Sequence, residues 1–184
     1  MKVKNCFSTF DIILCGLFIA LFTVGAYIRI PIMGVPFTLQ LFFIMLAGQI
    51  LKWHTAAFAV MTYIVLGVLG LPVFAGGGGI GYILTPGFGY LLGFVFCAVF
   101  IAAGNKNSSV LRQTLKNFFG VILVYLCGSV YTILITEFYL NQTINLWGIL
   151  LSGIIVFIPT DICFCVVSAI VSKRVNKLLI KIKA

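Results

Sequence analysis

Acidic residues are nearly missing from this sequence of 184 residues, which has three of them against twelve lysines and arginines. Charged residues make up 8% of the chain, whereas soluble domains carry about 25%. So few charges cannot keep a folded surface hydrated, which excludes an ordinary soluble enzyme. With 62% hydrophobic residues, the chain is not disordered either. The same composition disfavours a nucleic-acid-binding role, despite a net charge of +9.

Strict alternation of polar and apolar residues is also missing, which excludes a transmembrane β-barrel. The hydrophobic residues instead form six runs, and a helical span needs ~20 apolar residues. We therefore predict an all-α, polytopic membrane protein in which residues 1–184 form one domain of six transmembrane helices. The runs cover about 10–30, 37–51, 55–71, 88–104, 117–137 and 147–172, and the turns between them include 31–36, 72–87, 105–116 and 138–146.

The basic residues fall on one side of this predicted topology. With a cytoplasmic N-terminus, eleven of the twelve lie on the inner side, and only Arg29 lies on the outer side. Because cytoplasmic loops are enriched in Lys and Arg, this asymmetry predicts that both termini are cytoplasmic. Loops 31–36 and 72–87, which hold four of the five prolines and a glycine cluster, are then outside. We expect the function to lie there.

Groups for catalysis or metal binding are scarce. The one histidine, His54, lies at the predicted inner interface, and the three acids are scattered along the chain. The six cysteines form no C-x-x-C pair, and most lie inside apolar runs, where a free thiol behaves as a small hydrophobic group. We therefore expect neither an enzyme nor a resident metal or cofactor.

A run of four glycines dominates the second outer loop. No G-K-[ST] follows it, so it is not a nucleotide-binding phosphate loop. Its bare backbone can approach a ligand closely, and aromatic residues stand near it in the sequence, as is typical of small-molecule pockets. A flexible outer loop is the alternative. The residues predicted here to contact a ligand are Phe74, Gly76, Gly77, Gly78, Gly79, Tyr82 and Tyr90.

Two polar residues in apolar runs are further candidates for ligand binding. Asp161 lies inside the sixth run, where a charge costs about 2.5–3.5 kcal/mol on insertion scales and should face a polar cavity. Pro159 should free a backbone carbonyl near the same level. Gln40 opens the second run, and its amide both donates and accepts, which suits a ligand with N–H beside C=O. The alternatives are a structural aspartate and an ordinary helix-start residue.

Gly16 and Ala20 in the first run form a small-xxx-small pair. Such pairs let another helix approach closely, and they are frequent in membrane helices. On its own, this pair predicts only that a helix packs there.

Two segments of the chain resemble the BioY family. Residues 35–40 read V-P-F-T-L-Q, and residues 63–79 read Y-I-V-L-G-V-L-G-L-P-V-F-A-G-G-G-G. The second segment continues to P-G-F-G-Y-L-L-G-F at 86–94, and the resemblance extends over nearly the whole chain. BioY proteins are the biotin-binding S components of energy-coupling factor (ECF) transporters.

This resemblance implies a six-helix S-component fold that captures biotin on the outer face of the bacterial cytoplasmic membrane. The energy would come from partners, namely a transmembrane coupling protein and two cytoplasmic ATPases. Gly16 and Ala20 would then contact the coupling protein. A stand-alone permease for a related vitamin or another solute is the alternative.

The sixth helix departs from the family. The family pattern is similar to P-G-D-x-x-K, whereas residues 159–164 read P-T-D-I-C-F. Asp161 matches the family aspartate, but Phe164 stands where lysine is usual, and a lysine there could pair with the carboxylate of biotin. The remaining candidates for that role are the N–H groups of the glycine run, the hydroxyls of Tyr82 and Tyr90, and Arg29.

Overall fold

The computed structural model describes residues 8–32, 35–106, 108–140, 147–148 and 154–183. These residues form six α-helices, a two-stranded antiparallel hairpin and a short 3₁₀ turn at Ile80–Leu84, so the predicted all-α architecture with six helices is confirmed. The helices are α1 (Thr9–Tyr27), α2 (Gln40–Ile50), α3 (Trp53–Val68), α4 (Phe88–Ala102), α5 (Val110–Phe138) and α6 (Ile158–Lys183), and the strands are β1 (Arg29–Ile32) and β2 (Val35–Thr38).

Two helices of the described part, α1 and α5, are long and apolar enough to cross a membrane by themselves. The helices α2, α3 and α4 are apolar but shorter, with 11, 16 and 15 residues. Among them α2 is the central helix, because nine of its eleven residues are buried. It packs against α1, α4 and α6, so its sides contact protein rather than solvent or lipid.

Glycines let α2, α4 and α5 approach one another closely. A Cβ atom on Gly48 of α2 would lie 2.9 Å from the Cβ of Ile101 in α4. A Cβ on Gly93 of α4 would lie 2.8 Å from the Cα of Val124 in α5. Such contacts are typical of membrane helices, which are held together by close packing rather than by a hydrophobic driving force.

Three predicted helix boundaries are wrong. The second run does not begin as a helix at residue 37, because 35–38 pair with 29–32 as an antiparallel hairpin. The turn predicted at 105–116 ends early, because Ser109 accepts a hydrogen bond from the backbone N–H of Arg112 and caps α5 from residue 110 onward. Hydropathy alone could not place this boundary, since the first turns of α5 are polar.

The sixth run also differs from its predicted span of 147–172, of which 149–153 lie outside the described residues. The helix covers Ile158–Lys183, so it continues through the basic tail. Pro159 therefore lies in the first helical turn, where its missing N–H breaks no intrahelical hydrogen bond. A carbonyl left without a donor by Pro159 therefore precedes the helix and does not lie in its interior.

The two ends of the bundle differ in chemistry. One end carries the hairpin and residues 72–87, which meet where the Tyr27 hydroxyl donates to the carbonyl of Pro72. The other end carries lysines: Lys52 pairs with Asp11 at 3.3 Å, and Lys106 Nζ donates to the carbonyl of Ile50 at 2.6 Å. We call these the hairpin end and the lysine end.

A polar seam joins α2, α5 and α6 inside the lysine half of the bundle. Asn117 of α5 is fully buried, and its Nδ2 donates to the carbonyl of Cys165 and to Ser168 Oγ, both at 2.9 Å. Its Oδ1 accepts from Gln49 Nε2 of α2 at 2.6 Å. Nearer the lysine end, Ser172 donates to Gln113 Oε1 at 3.0 Å. These bonds give buried polar groups the partners that lipid cannot supply.

Candidate functional site

The glycine loop (residues 72–87) packs against α3 at Gly67, where the helix has no side chain. The Phe74 ring is fully buried and lies directly over Gly67, where a side chain of any size would overlap with it. The ring also contacts Tyr63 edge-on at a centroid distance of 5.4 Å, and Tyr82 at 4.6 Å. Phe74 therefore anchors the loop from beneath. It does not reach the surface itself, but its ring contacts Tyr82, which is partly exposed.

The glycine run folds back onto the same helix. Gly77 and Phe74 exchange backbone hydrogen bonds of 2.9 and 3.1 Å, and Gly79 N–H donates to the carbonyl of Gly67 at 2.7 Å. Gly77 and Gly79 have φ angles of 110° and 108°, which only glycine adopts without strain. Gly78 has no room for a Cβ against the carbonyl of Leu71. The loop is thus a folded element with a defined shape.

Hydroxyl groups from three helices hold the loop from below. Tyr27 of α1 donates to Pro72, and Tyr63 of α3 donates to the carbonyl of Val73 at 2.8 Å. From α5, Tyr131 donates to the carbonyl of Ile83 and Thr132 to that of Pro86 at 3.2 Å. Each bond satisfies a loop carbonyl that would otherwise lack a partner. The alternative of a flexible outer loop does not describe this geometry.

Gln40 has an orientation that follows from its partner. Tyr63 spends its only proton on the carbonyl of Val73, so its oxygen can only accept, and it accepts from Gln40 Nε2 at 3.0 Å. The amide of Gln40 therefore points its nitrogen at Tyr63 and its Oε1 away. No described residue donates to this Oε1, and Gln40 keeps one further N–H. Its amide therefore has an acceptor and a donor side by side that no described residue uses.

Asp161 lies in the first turn of α6 and is 5% exposed. Its Oδ2 accepts a hydrogen bond from the Tyr125 hydroxyl of α5, and no other described residue donates to the carboxylate. The positive end of the helix dipole also favours an anion in this turn. These two effects reduce the cost of burial and leave one carboxylate oxygen, Oδ1, for another donor.

Gln40 and Asp161 lie at the same level of two neighbouring helices. The α2 and α6 helices touch through Phe42 and Phe164, whose ring centroids are 5.8 Å apart, and through Met45 and Cys165 at 3.8 Å. Gln40 and Asp161 each precede these contacts by less than two turns, toward the hairpin end. Asp161 shares the α6 face of Phe164 and Cys165. Gln40 is turned roughly 140–200° around α2 from Phe42 and Met45, and its amide points to Tyr63 of α3.

The two tyrosines predicted at the site flank this region. Tyr82 packs over Gly76, and burial raises the pKa of its hydroxyl, although an N–H of Gly76 and the charge of Arg29 oppose that shift. The hydroxyl therefore stays protonated at neutral pH and can donate. Tyr90 is half-buried in the first turn of α4 and packs over Gly128.

Sequence reasoning named candidates for ligand contact, among them Phe74, which is instead fully buried, and it did not name the supporting residues Tyr63, Tyr125 and Gly67. A tyrosine inside an apolar run is a usable signal, because a buried hydroxyl needs a partner, but the sequence does not say which one. Gly16 and Ala20 lie elsewhere, on the outward face of α1, where a Cβ on Gly16 would meet no atom within 4 Å. Among the described residues no group of His, Cys, Asp or Glu could hold a metal ion.

Comparison with known proteins gives consistent results. A family model described as the BioY family matches residues 1–181. The "Probable biotin transporter BioY" of Lysinibacillus sphaericus is 37% identical, over 92% of this chain and 88% of that protein. The "Biotin transporter BioY" of Thermotoga maritima is 35% identical, over 91% and 96%. The crystal structure of the S component for biotin from an ECF-type ABC transporter superposes with a TM-score of 0.75 at 27% identity, covering 91% of this chain and 90% of that one.

Replacing Gly67 with alanine should loosen the glycine loop, because the new Cβ overlaps with the Phe74 ring. We expect faster hydrogen–deuterium exchange over residues 72–87 and a loss of about 1–3 kcal/mol of unfolding free energy from overpacking. Gly81→Ala is the matched control, since its Cβ meets nothing within 4 Å and its φ is not positive. If residues 72–87 of the Gly67→Ala protein exchanged hydrogen at the wild-type rate, the packing of Phe74 on Gly67 would not be what holds the loop.

Proposed function

The chain belongs to the BioY family, and from that premise we propose that it binds biotin beneath the glycine loop and delivers it into the cell as the S component of an ECF transporter. The observation that carries this proposal is a pair of buried and only partly satisfied polar groups near the hairpin end of adjacent helices, Gln40 of α2 and Asp161 of α6. Its relatives are transporters, and the chain is a transporter rather than an enzyme.

The chemistry of biotin suits these groups. Its ureido ring offers two N–H donors beside one carbonyl, its fused rings are apolar, and its tail ends in a carboxylate. Asp161 Oδ1 and Gln40 Oε1 accept from N–H groups, and the remaining N–H of Gln40 donates to a carbonyl. The aromatic surfaces of Tyr82 and Phe164 fit the apolar rings. The glycines at 76–79 bring the loop backbone close to the ligand, and Tyr90 closes the side toward α4.

The lysine half of the bundle favours a binding component over a stand-alone permease. A permease must open a path through its interior, but the described helices are tied together there by the polar seam. A cavity beside Gln49, Gln113 and Lys116 has room for about one water molecule. Transport then requires partners, which we propose are a transmembrane coupling protein and two cytoplasmic ATPases.

Gly16 and Ala20 are the proposed contact for the coupling protein. Both are exposed on the same face of α1, and neither is used for packing inside the described part of the chain. Small residues facing outward leave a shallow groove into which a helix of another protein can settle closely.

The hairpin end is the proposed outer face of the bacterial cytoplasmic membrane. Lys52, Lys106 and Lys116 lie together at the opposite end, whereas Arg29 lies at the hairpin end. Positively charged residues are retained in the cytoplasm. Both termini are then cytoplasmic, as the sequence predicts.

Biotin binding to the purified protein, measured by calorimetry, tests the proposed function directly. Asp161→Ala should weaken binding roughly 10–100-fold, because a charge-assisted hydrogen bond contributes about 1.5–3 kcal/mol. Asp161→Asn keeps an acceptor without the charge and should fall in between. Asp11→Asn, at the lysine end, is the control and should leave the affinity unchanged.

The outcomes separate three roles for Asp161. Tighter binding by the Asn variant would place Asp161 beside the ligand carboxylate, and unchanged affinity in both variants would make it structural. A wild-type protein that binds no biotin would overturn the proposed function itself.

A bulky side chain on the outward face of α1 should separate binding from transport. We expect Ala20→Trp to retain biotin affinity and to lower biotin uptake by cells that contain the energy-supplying partners at least tenfold. Leu126→Trp, at a position of α5 that is also exposed, is the control and should take up biotin normally. Normal uptake by Ala20→Trp would contradict the proposed coupling contact.

Impermeant thiol reagents should distinguish the two ends of the bundle. Gly81→Cys, in open space in the glycine loop, should be labelled on intact cells above the wild-type background. Lys181→Cys, near the end of α6, should be labelled only after permeabilisation. The reverse pattern would invert the proposed orientation.

A further inference from the structure

The hairpin end holds few charges. Among the described residues it carries Arg29 at the start of β1, Glu137 at the end of α5 and Asp161 at the start of α6. Arg29 is exposed and makes no ion pair with a described residue. It is the one described cation at this end, and it lies on the same face of the molecule as the proposed ligand site.

Backbone pairing places Arg29 above Gln40. Arg29 is opposite Thr38 in the hairpin, and the neighbouring Leu39 N–H donates to the carbonyl of Ile28 at 3.3 Å. Helix α2 then begins at Gln40, so Gln40 follows Thr38, the partner of Arg29, by two residues.

Arg29 is also close to the glycine loop. Its charge acts on the Tyr82 hydroxyl and lowers the pKa of that group against the effect of burial. The Tyr82 ring in turn packs over Gly76 and Phe74. Arg29 therefore lies within electrostatic reach of the glycine loop, on the side of the hairpin.

Among the candidates for holding an anion Arg29 alone carries a positive charge, since the hydroxyls of Tyr82 and Tyr90 and the N–H groups of the glycine run are neutral. Gly77 and Gly79 moreover spend their N–H groups on Phe74 and Gly67. Phe164 is apolar. The carboxylate of Asp161 would repel a second carboxylate held beside it.

We propose that Arg29 pairs with the carboxylate at the end of the ligand's tail and so makes this site selective for an anionic ligand over its neutral derivatives. This inference rests on the proposed function and adds to it the orientation of the ligand in the site. The ureido ring lies deep, at Gln40 and Asp161, and the tail points toward Arg29. An exposed guanidinium suits this position because it binds a carboxylate with two parallel N–H···O bonds without the cost of burying the charge.

The test compares two ligands and two variants. Wild-type protein should bind biotin about 1.4- to fivefold more tightly than biotin methyl ester, which is the range expected for a solvent-exposed ion pair. Arg29→Gln should lose this preference: its affinity for biotin should fall by that factor, and its affinity for the ester should stay at the wild-type value. Arg29→Lys should retain part of the preference, because it keeps the charge without the fork.

Two controls make the result specific. Asp161→Ala should weaken both ligands by the same factor, because both carry the ureido ring. Lys177→Gln, an exposed cation near the end of α6, should change neither affinity.

Two results would overturn the proposal. Equal weakening of both ligands by Arg29→Gln would make Arg29 a structural part of the hairpin, and an unchanged preference for biotin would place the carboxylate elsewhere. A wild-type protein that binds neither ligand would instead contradict the proposed function, so the two failures are distinguishable.

Discussion

A buried polar group in a bundle surrounded by lipid must find its partner inside the protein, because hydrocarbon offers none. This constraint organises both halves of the molecule. In the lysine half, amides and hydroxyls of α2, α5 and α6 bond to one another around Asn117, and Gln49 Oε1 is left without a partner among the described residues. At the hairpin end, hydroxyls of Tyr27, Tyr63 and Tyr131 satisfy loop carbonyls instead. The same requirement therefore closes one end of the interior and shapes a loop at the other.

The glycine loop combines this constraint with close packing. A loop with seven glycines between residues 70 and 87 would cost much conformational entropy to order. Hydrogen bonds from three helices and the Phe74 ring on Gly67 offset that cost. What results is a stretch of backbone with few side chains, held at a fixed height above Gln40. Such a surface can approach a ligand closely without first having to be ordered, which favours tight binding.

The sequence predicts the helices and the polar candidates better than it predicts their neighbours. Hydropathy finds six apolar runs because lipid exposure demands them, but it misses the hairpin, whose pairing depends on two short segments with prolines. It also ends the sixth helix too early, because α6 continues beyond the apolar region. Asp161 and Gln40 stand out as polar residues in apolar surroundings. Tyr125 and Tyr63, which orient them, contact them across 36 and 23 positions in the sequence, and a single sequence does not reveal such contacts.

Gln40 and Asp161, the two candidates for ligand contact, are only partly satisfied by the described residues. Asp161 receives one hydrogen bond from the described residues and Gln40 makes one, so each retains capacity for a ligand. Partly satisfied groups at low dielectric are costly to the protein without ligand, and the same low dielectric strengthens any hydrogen bond that a ligand supplies. Water that reached these groups would lower the cost of leaving them unsatisfied, and it would also weaken the hydrogen bonds that a ligand supplies. A loop that is already folded, as residues 72–87 are, needs no ordering when a ligand binds, and it therefore adds to the affinity that we propose for the two polar side chains.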